Sequence, residues 1–272
     1  MAMKNVLKKY QFLLLYFFIL FICILYAFLK IDPDFINADR VLARPSLDHF
    51  FGTDFLGRDY FYQVIMGSLI SQLVGFLGSL GLLFVALFFV IVLKSTHFVW
   101  FKNFAMMFLD VFQSLPNFII NAVFALLFAQ FFSSTSLLSQ SLISIVLSIS
   151  LTYWMNPARL LSAQLEKVLK EPFIEGAQAI GAKKRWIYMR HILPHMKDTL
   201  FLLFFLYFPQ SILQETILSF IGLGIQSPYS SWGSLMQQGF GSLQTHPHLM
   251  LFPSAMVFIT MMVFQITFKK QA

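Results

Sequence analysis

Long uncharged stretches alternate with short polar segments along most of this chain. A helix rises about 1.5 Å per residue, so about 20 apolar residues cross about 30 Å of hydrocarbon. On that measure the pattern predicts an all-α integral membrane protein with six transmembrane helices. We place these spans at residues 11–29, 68–93, 104–131, 137–158, 199–220 and 249–268. The uncharged run begins before the second span, and we assign 60–67 to an interfacial segment.

Composition supports the membrane interpretation. Hydrophobic residues make up 58% of the 272 residues and charged residues 11%, whereas soluble domains carry about 25% charged residues. The N-terminal lysines and the apolar run after them resemble a secretory signal. The run is as long as a full span, and the sequence after it, Lys30-Ile31-Asp32-Pro33, does not offer small residues for cleavage. We therefore interpret residues 11–29 as a retained first span.

Basic residues predict the orientation, because cytoplasmic loops of membrane proteins are enriched in Lys and Arg. On one side of the six-span map lie Lys30, Arg40, Arg44 and Arg58. The other fifteen of the 19 basic residues lie on the opposite side. The map therefore has a cytoplasmic N-terminus (1–10), an external loop (30–67), a main transmembrane domain (68–268) with a cytoplasmic loop (159–197), and a cytoplasmic tail (269–272). The positive net charge is explained by topology and does not require nucleic acid as a partner.

The loop 159–197, called the docking loop below, has a distinctive order of small and basic residues. Pro172 suits the first turn of a short helix, Ala177 and Ala179 favour that helix, and Gly181 can end it. A second short helix is predicted over 183–190, and Pro194 suits the first turn of the next span. Lys183, Lys184 and Arg185 either meet an acidic partner or lipid phosphates, or simply reflect the positive-inside rule.

This loop resembles that of bacterial ABC-importer permeases. The resemblance is carried by Glu175-Gly176-Ala177, by Gly181 and by Leu193-Pro194 at the family's spacing. Gly176 stands where alanine is more usual. The resemblance implies a type I ABC importer permease whose loop between helices four and five is a coupling helix that docks on an ATPase subunit. It implies docking residues Glu175, Gly176, Ala177, Ala179, Gly181, Lys183, Lys184, Leu193 and Pro194.

A second motif lies in the external loop and narrows the resemblance. The residues Gly52-Thr53-Asp54 and Gly57-Arg58-Asp59, the external motif below, are similar to those of the second, C-type permease subunit of dipeptide, oligopeptide and nickel importers. From the residues alone, the motif is either a structured entry into the second span or a point of solute contact. The chain departs from this family at Lys94–Phe98, which replaces a glycine-rich link, and in its short tail.

The resemblance also implies the partners and the division of chemistry. Expected partners are a second homologous permease, two ATPase subunits, an external solute-binding protein and membrane lipid. ATP and Mg²⁺ would be used by the ATPase subunits, and no cofactor is expected on this chain, whose sequence carries no Walker-type loop or nucleophile elbow. The expected function is a non-catalytic permease subunit that forms half of a pathway for peptides, nickel or metal chelates.

Three residues within or near spans raise separate questions. Acids are costly in hydrocarbon, so Asp110 either lines the pathway or sees water at the cytoplasmic end of its span. Glu215 is expected near the external end of span five, where it could fix the turn at Gly222–Gly224. Pro116 is expected to kink span three, because proline removes a helix hydrogen bond.

Other function classes are weighed against this one. His191 and His195 have a metal-ligand spacing on a helix, but Pro194 between them disturbs a shared geometry, so no metal site is assigned. A self-sufficient secondary transporter would show more intramembrane ionisable residues and internal repeats. A membrane enzyme would show a clustered set of catalytic side chains. The ATPase-independent secondary transporter is retained as the alternative function.

Overall fold

The computed structural model describes residues 2–30, 40–95 and 98–269, and the described chain is helical almost throughout. The helices, in chain order, are α1 (Ala2–Lys30), α2 (Tyr60–Ser95), α3 (Val99–Ser114), α4 (Asn117–Phe131), α5 (Leu137–Tyr153), α6 (Met155–Leu169), α7 (Pro172–Ala179), α8 (Lys184–Ile187), α9 (Leu193–Phe220), α10 (Trp232–Phe240) and α11 (His248–Lys269). A π-helical turn, Tyr188–Ile192, joins α8 to α9. Residues 31–39 of the external loop, 96–97 of the loop after α2 and 270–272 of the tail lie outside the described residues.

Within the described residues, three helices are long and apolar enough to cross a membrane: α2, α9 with the π-helical turn before it, and α11. Two bent pairs, α3 with α4 and α5 with α6, raise this number to five if each pair is one span. The apolar helix over Gln11–Ala27 is shorter. Large apolar side chains such as Phe18, Phe84 and Phe258 are exposed on the outer faces of these helices. Such faces suit contact with lipid.

Helix α2 lies at the centre and packs on α9, α5 and α6. Its glycines allow close approach, because a methyl group at Gly75 would lie 2.6 Å from Ile212 of α9 and one at Gly81 2.1 Å from Ser150 of α5. The main core joins buried residues of α2, α5, α6 and α9, and it continues into the docking loop through Ile174 and Ile187. The loop is therefore packed directly against the membrane-spanning core.

The second span differs from its predicted bounds. The structure continues α2 without interruption from Tyr60, so residues 60–67 form its first two turns, and their interfacial location stays a prediction. Asp59 Oδ1 accepts a hydrogen bond of 3.0 Å from the Tyr62 N–H, which satisfies one of the free donors of the first turn. Tyr60 is buried and donates its hydroxyl hydrogen to the Leu249 carbonyl oxygen. The helix begins early because these contacts hold its first turn.

Two spans that were expected to be single helices are broken. Helices α3 and α4 meet at 94° across Leu115 and Pro116, and α5 and α6 meet at 51° at Trp154. Pro116 precedes the first residue of α4, with φ −60° and ψ 110°, and the backbone at Leu115 is extended as well. The residue before a proline disfavours helical geometry. Pro116 thus separates two helices where only a kink was predicted.

Candidate functional site

Helix α7 is the centre of the docking loop and begins at Pro172, as predicted. Its inner face is formed by Ile174, fully buried, and Ala177, 7% exposed. Both belong to the core cluster that includes Leu165 and Val168 of α6. Ala177 therefore faces the core of this chain. The side chain of Ala177 is thus largely covered within this chain, and its implied role as a contact with a partner stays a prediction.

Gly181 ends α7 in the way that helix-terminating glycines do. Its φ is +79°, in the left-handed region that glycine adopts without strain. The Ala182 N–H donates to the Ala177 carbonyl oxygen at 3.1 Å, which is the hydrogen bond of a Schellman motif with Gly181 at its left-handed position. Gly181 therefore terminates α7, as the sequence predicted.

The outer face of α7 and of the turn after it is uncovered. Glu175, Gly176, Ala179, Gly181 and Lys183 are exposed, and a methyl group on Gly176 would meet no atom within 4 Å. Apolar side chains lie exposed beside these residues. They are Phe173, Ile180 (83% exposed), Trp186 (49%) and Met189 (63%). We call these four the apolar docking patch.

The second half of the docking loop differs from its prediction. A separate helix over 183–190 is not formed, because α8 continues through the π-helical turn into α9. The Leu193 N–H donates to the Tyr188 carbonyl oxygen, five residues back, and Pro194 lacks an N–H to continue the ordinary pattern. Leu193 is partly buried and Pro194 is exposed at the start of α9. The side chain of Lys184 lies outside the described part of the loop.

Aromatic contacts hold the two halves of the docking loop together. The Phe173 ring of α7 stacks on the His195 ring with centroids 4.6 Å apart and lies 5.9 Å from the His191 ring. Within the second half, the Trp186 ring meets His191 edge-on at 4.9 Å. His195 Nδ1 lies 2.8 Å from the His191 carbonyl oxygen. Both histidines are thus engaged in packing across the loop. Among the described residues, no group of three or more His, Cys, Asp or Glu side chains is placed to hold a metal ion.

The external motif forms a compact loop that is held by hydrogen bonds and an ion pair between its own residues. Asp54 Oδ1 accepts hydrogen bonds of 2.9 Å from the Leu56 and Arg58 N–H groups. Asp54 Oδ2 pairs with the Arg58 guanidinium at 2.7 Å. Thr53 is fully buried, and its hydroxyl oxygen accepts from the Ala43 N–H at 2.8 Å. The side chains of Thr53 and Asp54 are therefore used inside the loop.

The glycines and Asp59 also contribute to the structure of this loop. Gly52 and Gly57 are buried and have positive φ values of 77° and 73°. Besides starting α2, Asp59 places its Oδ2 atom 2.8 Å from Nδ1 of His49. The ring of Phe51 stacks on that of Phe252 with centroids 3.8 Å apart, and this contact packs the external motif against α11. The geometry matches a structured entry into the second span.

Asp110 and Glu215 lie in opposite environments. The Asp110 side chain is 65% exposed and pairs with Arg159, which joins α3 to α6 beside the docking loop. The ion pair gives Asp110 a charged partner, and its role as a pathway-lining or a water-facing residue stays a prediction. Glu215 is fully buried and accepts hydrogen bonds from Ser71 at 3.0 Å and Ser219 at 2.6 Å. Ser219 Oγ in turn accepts from the Ile225 N–H at 3.1 Å, so Glu215 supports the turn at Gly222–Gly224 as expected.

Sequence reasoning missed a polar cavity between α4, α5, α6 and α9. Its volume is about 330 Å³, and it is lined by Asn117, Tyr153, Asn156, Leu206, Tyr207 and Gln210. These residues are far apart in sequence, and no motif contains them. A signal was present, however, because neutral amide and phenol groups are costly in hydrocarbon unless they have partners. Five such groups in the predicted spans indicated a shared polar surface.

Comparison with known proteins gives a consistent picture. The model of the family "Binding-protein-dependent transport system inner membrane component" matches residues 91–269. The oligopeptide transport system permease protein OppC of Haemophilus influenzae is 29% identical over 93% of this chain and 78% of its own length. OppC of Salmonella typhimurium is 32% identical over 79% of this chain and 68% of its own length.

The fold has a solved counterpart. An inward-facing structure of the MetNI methionine ABC transporter superposes with a TM-score of 0.59 at 15% identity, covering 77% of this chain and 94% of that chain. At this identity the likeness concerns the fold, which is that of type I ABC importer permeases. Together with the docking loop and the span pattern, the matches show that the chain belongs to the family of binding-protein-dependent transport system inner membrane components and is a permease subunit of an ABC importer.

Proposed function

We propose that this chain forms half of the translocation pathway of an importer for oligopeptides. The support is the kinship with permeases named for oligopeptide transport, which favours peptides over nickel or metal chelates. A second homologous permease supplies the other half, and an external binding protein delivers the solute. The chain lies in the bacterial inner membrane as a multi-pass protein with both termini in the cytoplasm. Fifteen of its 19 basic residues support that orientation.

The chain has a mechanical role, and the chemistry of ATP belongs to its partners. Two ATPase subunits bind ATP and Mg²⁺, and no cofactor binds to this chain directly. Coupling requires contacts that differ between the two conformations of the transporter. Helix α7 is suited to carry such contacts, because its inner face is part of the same core as α6 and α9. A displacement of α7 by the ATPase subunits would therefore also move the membrane-spanning helices that share this core.

The apolar docking patch is the observation that carries this proposal. Exposed apolar side chains on a loop rich in basic residues have no lipid to cover them once the loop lies in water. Ile180 is 83% exposed and Met189 is 63% exposed. Gly176 has no side chain, and the space beside it is open. A cleft on an ATPase subunit would bury these groups. Only Phe173 of this patch lies in α7, and the other three residues follow it in the turn, in α8 and in the π-helical turn.

The test is a charge placed on the patch. Ile180→Asp should leave insertion and folding intact, because the side chain makes little contact within this chain. Co-purification of the ATPase subunits should fall roughly tenfold or more, as expected for a buried interface residue. ATP-dependent uptake of tri-alanine into proteoliposomes that hold the full complex should fall with it. Both quantities are measured on the same preparation.

Leu47→Asp is the matched control, since Leu47 is 91% exposed in the external loop. It should leave ATPase co-purification unchanged. Normal association and uptake in Ile180→Asp would contradict the docking assignment. Uptake that continues without any ATPase subunit would instead favour the secondary transporter.

A further inference from the structure

The polar cavity between α4, α5, α6 and α9 lies beside two helix breaks and a proline inside a third helix. Asn117 is the first residue of α4, directly after the 94° break, and Tyr153 and Asn156 flank the 51° break at Trp154. The Gln113 side-chain amide donates to Asn156 Oδ1 at 3.1 Å and so links the two breaks. Irregular backbone at membrane depth is tolerated where protein buries it or where it lines a water-filled cavity.

The third irregularity is Pro209 inside α9, next to the cavity residue Gln210. Proline lacks an N–H, so the Phe205 carbonyl oxygen loses its usual partner in the helix. Helix α9 has 28 residues, or roughly 42 Å of length. Leu206, Tyr207 and Gln210 lie near its middle. The α9 side of the cavity therefore lies near the middle of its span, and Asn156, three residues before Arg159 in α6, lies toward the docking-loop end.

The chemistry of the lining is neutral and rich in amides. Asn117, Asn156 and Gln210 each carry a donor and an acceptor, as a peptide group does, and Tyr153 and Tyr207 add hydroxyl groups. All six lining side chains are uncharged. Such a surface can hydrogen-bond a peptide backbone in either direction and sets no requirement on the net charge of the solute.

Some of these polar atoms lack a partner within the described chain. Asn117 Oδ1 is shielded from solvent and accepts no hydrogen bond from the described residues. One turn further along α4, Asn121 is fully buried, and neither its amide nitrogen nor its oxygen has a partner there. Tyr153 already donates to Gln214 Oε1 at 2.6 Å, which fixes its ring at the cavity wall. Unsatisfied amides at membrane depth are costly.

We propose that Asn117, Asn156, Tyr207 and Gln210 form a binding site between the membrane-spanning helices that hydrogen-bonds the backbone amides of a peptide in transit. The inference rests on the proposed function, because it assigns the solute-contacting residues of that pathway. Tyr153 is a positioning residue, because its hydrogen bond to Gln214 ties the end of α5 to α9 at the cavity wall. The site reads the peptide group itself and is indifferent to the side chains of the solute.

The test compares tri-alanine with the same peptide methylated on its two amide nitrogens. Methylation removes both amide N–H donors and leaves the terminal charges. Uptake is measured in proteoliposomes with the complete importer and saturating binding protein. The wild type should take up tri-alanine faster, by about two- to tenfold for each hydrogen bond lost. Gln210→Leu and Asn117→Leu should each lose about that factor of preference.

The ratio between the two peptides is compared across variants, so any preference of the binding protein cancels. Gln130→Leu is the matched control, because Gln130 is exposed near the far end of α4, away from the cavity. It should keep the wild-type ratio. Uptake of tri-alanine with an unchanged ratio in both cavity variants would overturn the site while leaving the peptide importer intact. No ATP-dependent uptake of either peptide by an assembled wild-type complex would overturn the proposed function itself.

A second measurement does not depend on transport by a leucine variant. Gln210→Cys is made in a Cys23→Ser background and treated with a charged, water-soluble thiol reagent. Reaction should occur, and it should slow during ATP-driven turnover of tri-alanine. A thiol that never reacts, whatever the state of the importer, would mean that the second permease covers the cavity and would overturn the site.

Discussion

The docking loop and the external motif are both recognised by sequence, yet they use their residues in opposite ways. In the external motif, Thr53 is fully buried and Asp54 is 4% exposed, and their polar atoms are bonded within the loop. In the docking loop, Glu175 and Gly176 are exposed, and the space beside Gly176 is open. A sequence motif can therefore indicate either a loop stabilised by its own internal hydrogen bonds or an exposed surface available to a partner.

Chemistry alone does not separate the two cases. Both segments contain an acid, small residues and basic residues at short spacing. The difference lies in what surrounds them, because the Asp54 carboxylate is enclosed by its own backbone and Arg58, whereas α7 rests on the core by Ile174 and Ala177. Substitutions in the external motif should therefore change folding, and those on the outer face of the docking loop should change assembly.

The largest effect is expected from Gly52→Ala. A methyl group there would lie 2.3 Å from the Ala43 carbonyl oxygen, and φ is +77°, so both overlap and backbone strain oppose the change. The free energy of unfolding should fall by roughly 2–4 kcal/mol. Unfolding of the purified chain in a mixed-micelle titration measures this. An unchanged unfolding midpoint would show that the external motif accommodates the methyl group without loss of stability. It would then not differ from the docking loop in its tolerance of substitutions.

Asp54→Asn should give the next effect. The amide keeps an oxygen that can accept from the Leu56 and Arg58 N–H groups, but the charge opposite the Arg58 guanidinium is lost. A hydrogen bond to a charged group contributes about 1.5–3 kcal/mol, and part of this should appear as lower stability in the same titration. ATPase co-purification should stay normal. Loss of ATPase co-purification with unchanged stability would instead show that Asp54 affects the association with the ATPase subunits.

The sequence predicted much of the fold, because span length and the distribution of basic residues are local signals. It also predicted the start of α7, the turn at Gly181 and the role of Glu215 near Gly222. Proline marked the place of the break at Leu115–Pro116 but not its angle of 94°, and the break at Trp154 was not predicted, because an apolar run without proline reads the same whether the helix is straight or bent. Polar groups in the predicted spans indicated a shared polar surface, but the set of residues that line the cavity depends on those breaks and could not be selected beforehand.

Within the docking loop, sequence could not tell an inner residue from an outer one. Ala177 and Ala179 are both small and two positions apart, yet Ala177 is packed in the core and Ala179 is exposed. Only the direction of α7 relative to α6 decides which side is free. The resemblance assigned both residues to the partner surface, and the structure separates them.

The smallest effect on folding is expected from Gly176→Ala, the change toward the residue that is more usual at this position. Gly176 is inside α7, and a methyl group there would meet no atom of this chain within 4 Å. Alanine lowers the entropy cost of helix formation, so the free energy of unfolding should stay equal or rise by up to about 1 kcal/mol. Any loss of ATPase co-purification or uptake in this variant would therefore arise from crowding against the partner, measured on a protein that is at least as stable. Normal association would show that the ATPase cleft accepts a methyl group there. A fall in stability would contradict the open outer face on which the comparison of the two loops depends.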